Sequence, residues 1–192
     1  MTPTLLFGGS FDPPHLAHLQ IPLAILQEGL AAEVWYVPAK QHPHLKPLSP
    51  EKDRLAMLQL MLPPDEPRLQ IKTWELEQKT VSFSINTLQA LSKKYPDRHF
   101  SWLIGSDNLA KFSTWHAAAE ILDAFGVVVY PRKGYPIEPL LPGMTLLKDV
   151  PESDISSREV KRRIEAGQPF EHLVSPGVEE YIQTHTVYHR QG

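Results

Sequence analysis

The chain has no cysteine. Disulfides, thiolate metal sites and a cysteine nucleophile are therefore excluded. It also lacks any apolar run near the ~20 residues that a membrane-spanning helix needs, so no membrane association is expected. The opening Met1-Thr2-Pro3-Thr4-Leu5-Leu6-Phe7 has no basic region and meets Gly8-Gly9 too early for a signal peptide. Together with the missing cysteines, this makes the cytoplasm the expected location. A basic surplus is missing too: net charge is −3, from 19 Lys and Arg against 22 Asp and Glu. A general nucleic-acid binder carries excess positive charge, so no nucleic-acid partner is expected and any basic site must be local. Neither G-x-x-x-x-G-K-[ST] nor G-x-G-x-x-G occurs, which removes the Walker loop and the dinucleotide fingerprint. Internal repeats and low-complexity linkers are absent as well.

What is present is length for a core and many stiff loops. A chain of 192 residues with 19 prolines is expected to form a single domain over 1–192, its last part, about 155–192, helical. Short apolar runs at Leu5–Phe7, Val34–Val37, Leu69–Trp74, Phe100–Ile104, Val127–Tyr130 and Thr145–Leu147 read as strands. Helical spacing follows at 16–30, from Ser49-Pro50-Glu51, at Ser84–Lys94, Ala117–Ala124 and 157–166, and from Ser175-Pro176. Strands alternating with helices predict an α/β fold, a Rossmann-like doubly wound parallel sheet with helices on both faces. Such sheets bind ligands at the carboxyl ends of their strands. The segments 8–18, 38–46 and 105–115 fall at those ends.

The first of these, Gly8-Gly9-Ser10-Phe11-Asp12-Pro13-Pro14-His15-Leu16-Ala17-His18, carries the strongest signal. Two glycines after a strand let backbone approach a ligand closely, and free amides at a helix start attract phosphate. His15 and His18, three apart, share a helix face and can meet charge growing on a phosphoryl oxygen. Pro22 removes the amide that would bond the His18 carbonyl. A second candidate is Ile155-Ser156-Ser157, opening a helix with Arg158, Lys161, Arg162 and Arg163. Hydroxyls, helix amides and cations together suit a polyphosphate. Elsewhere Trp115 can stack on a flat ring, Asp107 after Gly105 can bond ribose hydroxyls, and Ser84 and Thr87 near a helix start can hold a carboxylate. His15, His18, His42 and His44 form H-x-x-H and H-x-H pairs without the carboxylates that usually support zinc ligands. No protein-held metal is expected, and Mg²⁺ carried by substrate phosphates is the natural ion.

Gly-Gly-Ser-Phe-Asp-Pro-Pro-His-x-x-His resembles the G-G-[ST]-F-D-P-x-H-x-G-H signature of the nucleotidyltransferase superfamily. Within it the chain resembles bacterial nicotinate-nucleotide adenylyltransferases nearly end to end. Pro38–Lys46 is similar to N-x-x-P-P-H-[KR], Ser82–Leu88 to S-Y-T-x-x-T-L, and Gly105–Trp115 to G-x-D-x-[LM]-x-x-[FL]-x-x-W. Arg132–Pro136 is similar to R-P-G-[YF]-x, and Ile155–Arg163 to I-S-S-T-x-[IV]-R-x-R. The chain departs from the pattern at Ala17 for glycine, Leu45 as an extra residue, Arg158 for threonine and Lys161 for arginine.

The resemblance implies adenylyl transfer from ATP, with Mg²⁺, to nicotinate mononucleotide. It implies catalytic roles for His15, His18 and Lys161. ATP would meet Gly8, Gly9, Ser10, Phe11, His15, His18, Ile155, Ser156, Ser157, Arg158 and Lys161. The acceptor would meet His44, Lys46, Ser84, Thr87, Gly105, Asp107, Trp115 and Arg132, with Trp115 stacked on the pyridine ring. Nicotinamide mononucleotide or another phosphorylated acceptor is the alternative within the class. A non-catalytic nucleotide-binding protein and a histidine-cluster hydrolase are the alternatives outside it. Oligomeric state is not legible.

Overall fold

The computed structural model describes residues 1–41, 47–79 and 82–188. Its elements are, in chain order, β1 (Thr2–Gly9), α1 (Leu16–Gln27), β2 (Glu33–Pro38), α2 (Glu51–Met61), β3 (Leu69–Ile71), α3 (Ser84–Lys94) and β4 (Arg98–Gly105). Then come α4 (Leu109–Phe112), α5 (Ala118–Ala124), β5 (Val127–Tyr130), β6 (Met144–Leu146), α6 (Ser157–Glu165) and α7 (Pro176–His185). The strands form one six-stranded sheet ordered β3-β2-β1-β4-β5-β6. Every neighbouring pair is parallel. The expected doubly wound α/β fold is the observed one. The chain runs outward through β2 and β3, then returns to start the other half at β4. The carboxyl ends of β1 and β4 therefore flank the switch point where such sheets open a crevice.

Period-2 alternation divides the core. Leu5 and Phe7 of β1 join Tyr36 and Leu103 in a cluster beneath α1, α2, α6 and α7. Leu6 joins Trp35, Val37, Trp102 and Ile104 beneath α3 and α5. Both sheet faces are thus covered, as near-continuous apolar strands require.

Local chemistry accounts for the departures from expectation. The strand expected over Leu69–Trp74 stops at Ile71, because β3 is an edge with no outer partner and the chain turns at once. The Leu76 and Glu77 amides both bond the Thr73 carbonyl. Ser49 has the side chain of a helix cap, yet Pro50 takes that position before α2. The Ser49 amide instead donates to Asp12 Oδ2 at 3.2 Å, and its carbonyl accepts from Arg54 Nε at 3.0 Å. After β4 a 3-10 turn, Ser106–Asn108, leads directly into α4.

Helix α1 runs through Pro22 to Gln27. The missing Pro22 amide would leave the His18 carbonyl without its helical donor. Tyr36 on β2 supplies a replacement: its hydroxyl donates to the His18 carbonyl at 2.7 Å. Tyr36 is fully buried, so water cannot substitute. Tyr36→Phe should therefore cost about 1–3 kcal/mol of stability. Pro22→Ala restores the amide, so the loss should shrink in the Pro22→Ala background. Urea unfolding of the four proteins checks this, and equal losses in both backgrounds would refute the account.

Candidate active site

The β1–α1 loop sits at the switch point. Gly8 pairs with Val37 and Gly9 with Pro38 in the sheet, and the Ala39 amide bonds the Gly9 carbonyl at 2.9 Å. A β-carbon on Gly8 would lie 2.2 Å from the Trp102 ring of β4, so only glycine fits that close approach. Phe11 adopts a left-handed backbone, φ 47°, and its ring is buried against Phe7, His18 and Tyr36. The Ser10 carbonyl is held by Arg54 Nη1 at 2.7 Å. Arg54 itself is buried, and the loop is thereby anchored to α2.

His15 caps α1 and is buried. Its ring stacks on that of His18, with centroids 3.6 Å apart and planes 23° apart. Two charged imidazoles would repel at that distance. Burial, the other histidine and Arg132 push His15 well below its ordinary pKa, and burial and Arg132 push His18 down to about 3. Both rings are neutral at physiological pH. The His15 amide donates to His18 Nδ1 at 3.2 Å. An Nδ1 that accepts leaves the ring hydrogen on Nε2, so His18 offers an N–H donor with no titration needed. The buried His15 Nδ1 has no partner among the described residues. Ala17, beside them in the first turn of α1, is buried and helical, a conformation in which alanine is unstrained.

Helix α6 reaches the same loop. Ser156 caps it by accepting from the Glu159 amide at 3.2 Å, and the Ser157 hydroxyl donates to the Pro13 carbonyl at 2.8 Å. The two hydroxyls are thus occupied in joining α6 to the loop. The Ser157 and Arg158 amides, in the first turn, have no intrahelical acceptor. Lys161, one helical turn on, bonds Asp12 Oδ2 at 2.5 Å. Arg162 and Arg163 turn to Glu159 instead. Arg158 is exposed.

Arg132, just past β5, binds these parts together. Its Nη1 pairs with Asp107 Oδ2 at 3.2 Å, and its Nη2 donates to the Ile155 carbonyl at 2.8 Å. Its amide donates to the buried Ser106 hydroxyl at 3.0 Å. Gly105 makes room for this arrangement: a β-carbon there would lie 2.5 Å from Asp107 Oδ1 and 2.7 Å from Arg132 Cδ.

Beyond Asp107, Trp115 is half-buried with its ring 5.1 Å from that of Phe112. Phe83, immediately before Ser84, is 41% exposed, and its ring lies 4.5 Å from that of His116. This contact brings the start of α3 and the Trp115 segment together. Thr87 departs from its expected role. It is fully buried, and its hydroxyl donates to Glu75 Oε1 at 2.6 Å, so it faces the interior rather than an acceptor. His44 and Lys46 lie outside the described residues. Among the described residues, no group of three or more His, Cys, Asp or Glu is placed to hold a metal ion.

Glu75 was not legible in the sequence as a buried acid. Burial raises its pKa to about 7, against an ordinary 4.5, although the Thr87 hydrogen bond partly opposes the shift. A raised folded-state pKa means that the stabilising contribution is complete below about pH 4.5 and is lost as pH rises through about 7. Stability should therefore fall by on the order of 3 kcal/mol between pH 4.5 and 8 through this group. Glu75→Gln should flatten that part of the urea-midpoint profile; the same slope in both proteins would show that Glu75 ionises freely. Asp12, Arg54 and Tyr36 were missed as well. Asp12 stood inside the first motif without a role, and an arginine among the apolar positions of α2 was the one visible sign of Arg54.

A parallel sheet with neutral stacked histidines, a glycine loop and a lysine-bearing helix gathered at its switch point defines a phosphate-handling nucleotide-binding protein. Residues 6–163 match the cytidylyltransferase-like family. A Salinibacter ruber protein described as a probable nicotinate-nucleotide adenylyltransferase is 35% identical over 189 residues, covering 95% of this chain and 96% of that one. The nicotinate-nucleotide adenylyltransferase of Bacillus subtilis is 28% identical over 185 residues, covering 95% and 96%. The Plasmodium falciparum nicotinic acid mononucleotide adenylyltransferase, solved as a complex with NaAD, shares the fold with a TM-score of 0.85 over 98% of both chains, at 19% identity. The chain belongs to the nicotinate-nucleotide adenylyltransferase family of nucleotidyltransferases.

Proposed function

We propose that this chain transfers AMP from ATP to nicotinate mononucleotide, yielding deamido-NAD and pyrophosphate in NAD biosynthesis. The observation that carries the reading is the neutral His18 ring, its Nδ1 occupied and its Nε2–H without a partner among the described residues, beside a glycine loop at the switch point. An oxygen of the acceptor phosphate attacks the α-phosphorus of ATP in line. The bond from that phosphorus to the bridging oxygen of the β-phosphate breaks, and pyrophosphate leaves. Nucleophile and leaving group are both phosphate oxygens, so no protein base is required, and catalysis rests on position and charge.

His18 Nε2–H donates to an α-phosphate oxygen as charge gathers there. His15 serves the same polyphosphate, as do amides at Gly9–Phe11. The first-turn amides of α6 and Lys161 hold the β- and γ-phosphates. Trp115, Ser84 and the Asp107–Arg132 pair hold the acceptor, and Phe83 and His116 wall the same end. Mg²⁺ enters with ATP as part of the substrate. Asp12 and Asp107 are already paired with Lys161 and Arg132, so the ion's ligands are chiefly phosphate oxygens and water. No helix among the described residues is long and apolar enough to cross a membrane, and a cytoplasmic location goes with this reading.

The test is pyrophosphate release from ATP and Mg²⁺ with nicotinate mononucleotide, nicotinamide mononucleotide and phosphopantetheine in turn. The first should give the highest kcat/KM. A higher value with another acceptor would overturn the substrate, and no release with any would favour a non-catalytic nucleotide-binding protein.

A further inference from the structure

Asp12 lies in the middle of the glycine-loop motif, yet it is 4% exposed and turned into the protein. Donors from three distant parts of the chain converge on it. Lys161 Nζ, from α6, and the Ser49 amide, before α2, bond Oδ2 at 2.5 and 3.2 Å. The Tyr188 hydroxyl, beyond α7, bonds Oδ1 at 2.6 Å. The Tyr188 ring also lies beneath the same lysine, 4.9 Å from Nζ to the ring centroid. Burial alone would raise the Asp12 carboxyl, but the Lys161, Tyr188 and Ser49 hydrogen bonds outweigh it and hold the group below its ordinary range. Asp12 is therefore an anion at neutral pH.

We propose that Tyr188 is a positioning residue for ATP: it fixes the Asp12 carboxylate, which in turn aims Lys161 at the polyphosphate. A lysine is a point charge on a flexible stem, without the planar fork by which arginine sets its own geometry. Ordering such a stem only when ligand arrives weakens binding. Here one of the three ammonium donors goes to Asp12 and the ring supports the amine from the side, so two donors remain for phosphate oxygens. With Tyr188 on Oδ1, the carboxylate cannot rotate away from the amine. Lys161 thus regains, through a carboxylate and a phenol, the fixed direction that its side chain lacks. Tyr188 touches no substrate in this scheme.

The proposal rests on Lys161 meeting ATP, and its test separates the two ideas. Tyr188→Phe keeps the ring and removes only the hydroxyl. It should raise KM for ATP about tenfold and leave KM for nicotinate mononucleotide within about twofold. In a Lys161→Met background the same change should alter KM for ATP by less than about twofold, because the residue through which it acts is gone. A merely structural tyrosine would act equally in both backgrounds, and that outcome would overturn the proposal, as would an unchanged KM in Tyr188→Phe. A second readout needs no turnover. Acetic anhydride labelling of Lys161 in ligand-free protein, followed by mass spectrometry, should be several-fold faster in Tyr188→Phe than in the parent. Equal labelling overturns the positioning role even if the parent releases no pyrophosphate, a result that would by itself count only against the proposed activity.

Discussion

Alanine in place of His18 is expected to lower kcat by about two to three orders of magnitude, the usual effect of removing one preorganised donor from a developing oxyanion. The His15 amide on Nδ1 sets the tautomer, and burial with Arg132 holds the ring neutral. The Nε2–H is therefore in place before substrate binds, and reorganisation is small. The KM values should move far less than kcat, since the contact strengthens as charge moves onto the α-phosphate. His18→Gln, which keeps an N–H donor at similar reach, should retain more activity than alanine. Between about pH 5 and 8 the parent's kcat/KM should show no step from His18 of the free protein, because its pKa there lies near 3. Pyrophosphate release at varied ATP and acceptor measures all of this. Near-normal turnover in the alanine variant would remove His18 from the reaction. The ring also packs against Phe7 and Phe11, with centroids 5.7 and 5.0 Å away. A thermal melt must accompany the kinetics, so that a loosened loop is not mistaken for a lost donor.

Gly8→Ala is expected to be the most damaging single methyl addition in the loop. Its β-carbon would fall 2.2 Å from the Trp102 ring, and something must shift. Trp102 is buried beneath α3 and α5 in the cluster that covers that face of the sheet, so the ring has little room to withdraw. Overpacking of this kind costs about 1–3 kcal/mol. Because β1 pairs with both β2 and β4, displacement of its end also moves the backbone that presents Gly9–Phe11 to phosphate. Stability and kcat should fall together. Trp102→Phe shortens the ring and should recover part of both losses in the Gly8→Ala protein, which chemical denaturation and pyrophosphate release would show. A Gly8→Ala variant with parental stability would mean that the close approach is relieved at no cost.

Much of this was legible in one dimension because the signals are local. The alternation of apolar runs with helical spacing identified the strands and the sheet class. Ser84–Lys94 and Val127–Tyr130 match the observed α3 and β5 to the residue. The errors lie where a local preference was outcompeted. Ser49 has the chemistry of a helix cap, but Asp12 and Arg54 claim its amide and carbonyl. Leu69–Trp74 has strand propensity, but an edge position leaves Thr73 free to start a turn. Thr87 near a helix start suits a carboxylate ligand, but the helix face that carries it points to the core, where Glu75 takes its hydroxyl.

The sequence by itself determined the fold class, the glycine loop with its two histidines, and the short list of cations near phosphate. These depend on side-chain type and spacing within a dozen residues, which the chain states directly. Only the tertiary structure decided how those groups are set. It stacked His15 on His18 and made both neutral, and it replaced the amide lost at Pro22 with a hydroxyl from Tyr36. It joined Lys161 to Asp12 across 149 residues and Tyr188 to Asp12 across 176. Each of these rests on desolvation and on contact between segments remote in the chain, and neither quantity exists until the sheet has brought its strand ends together.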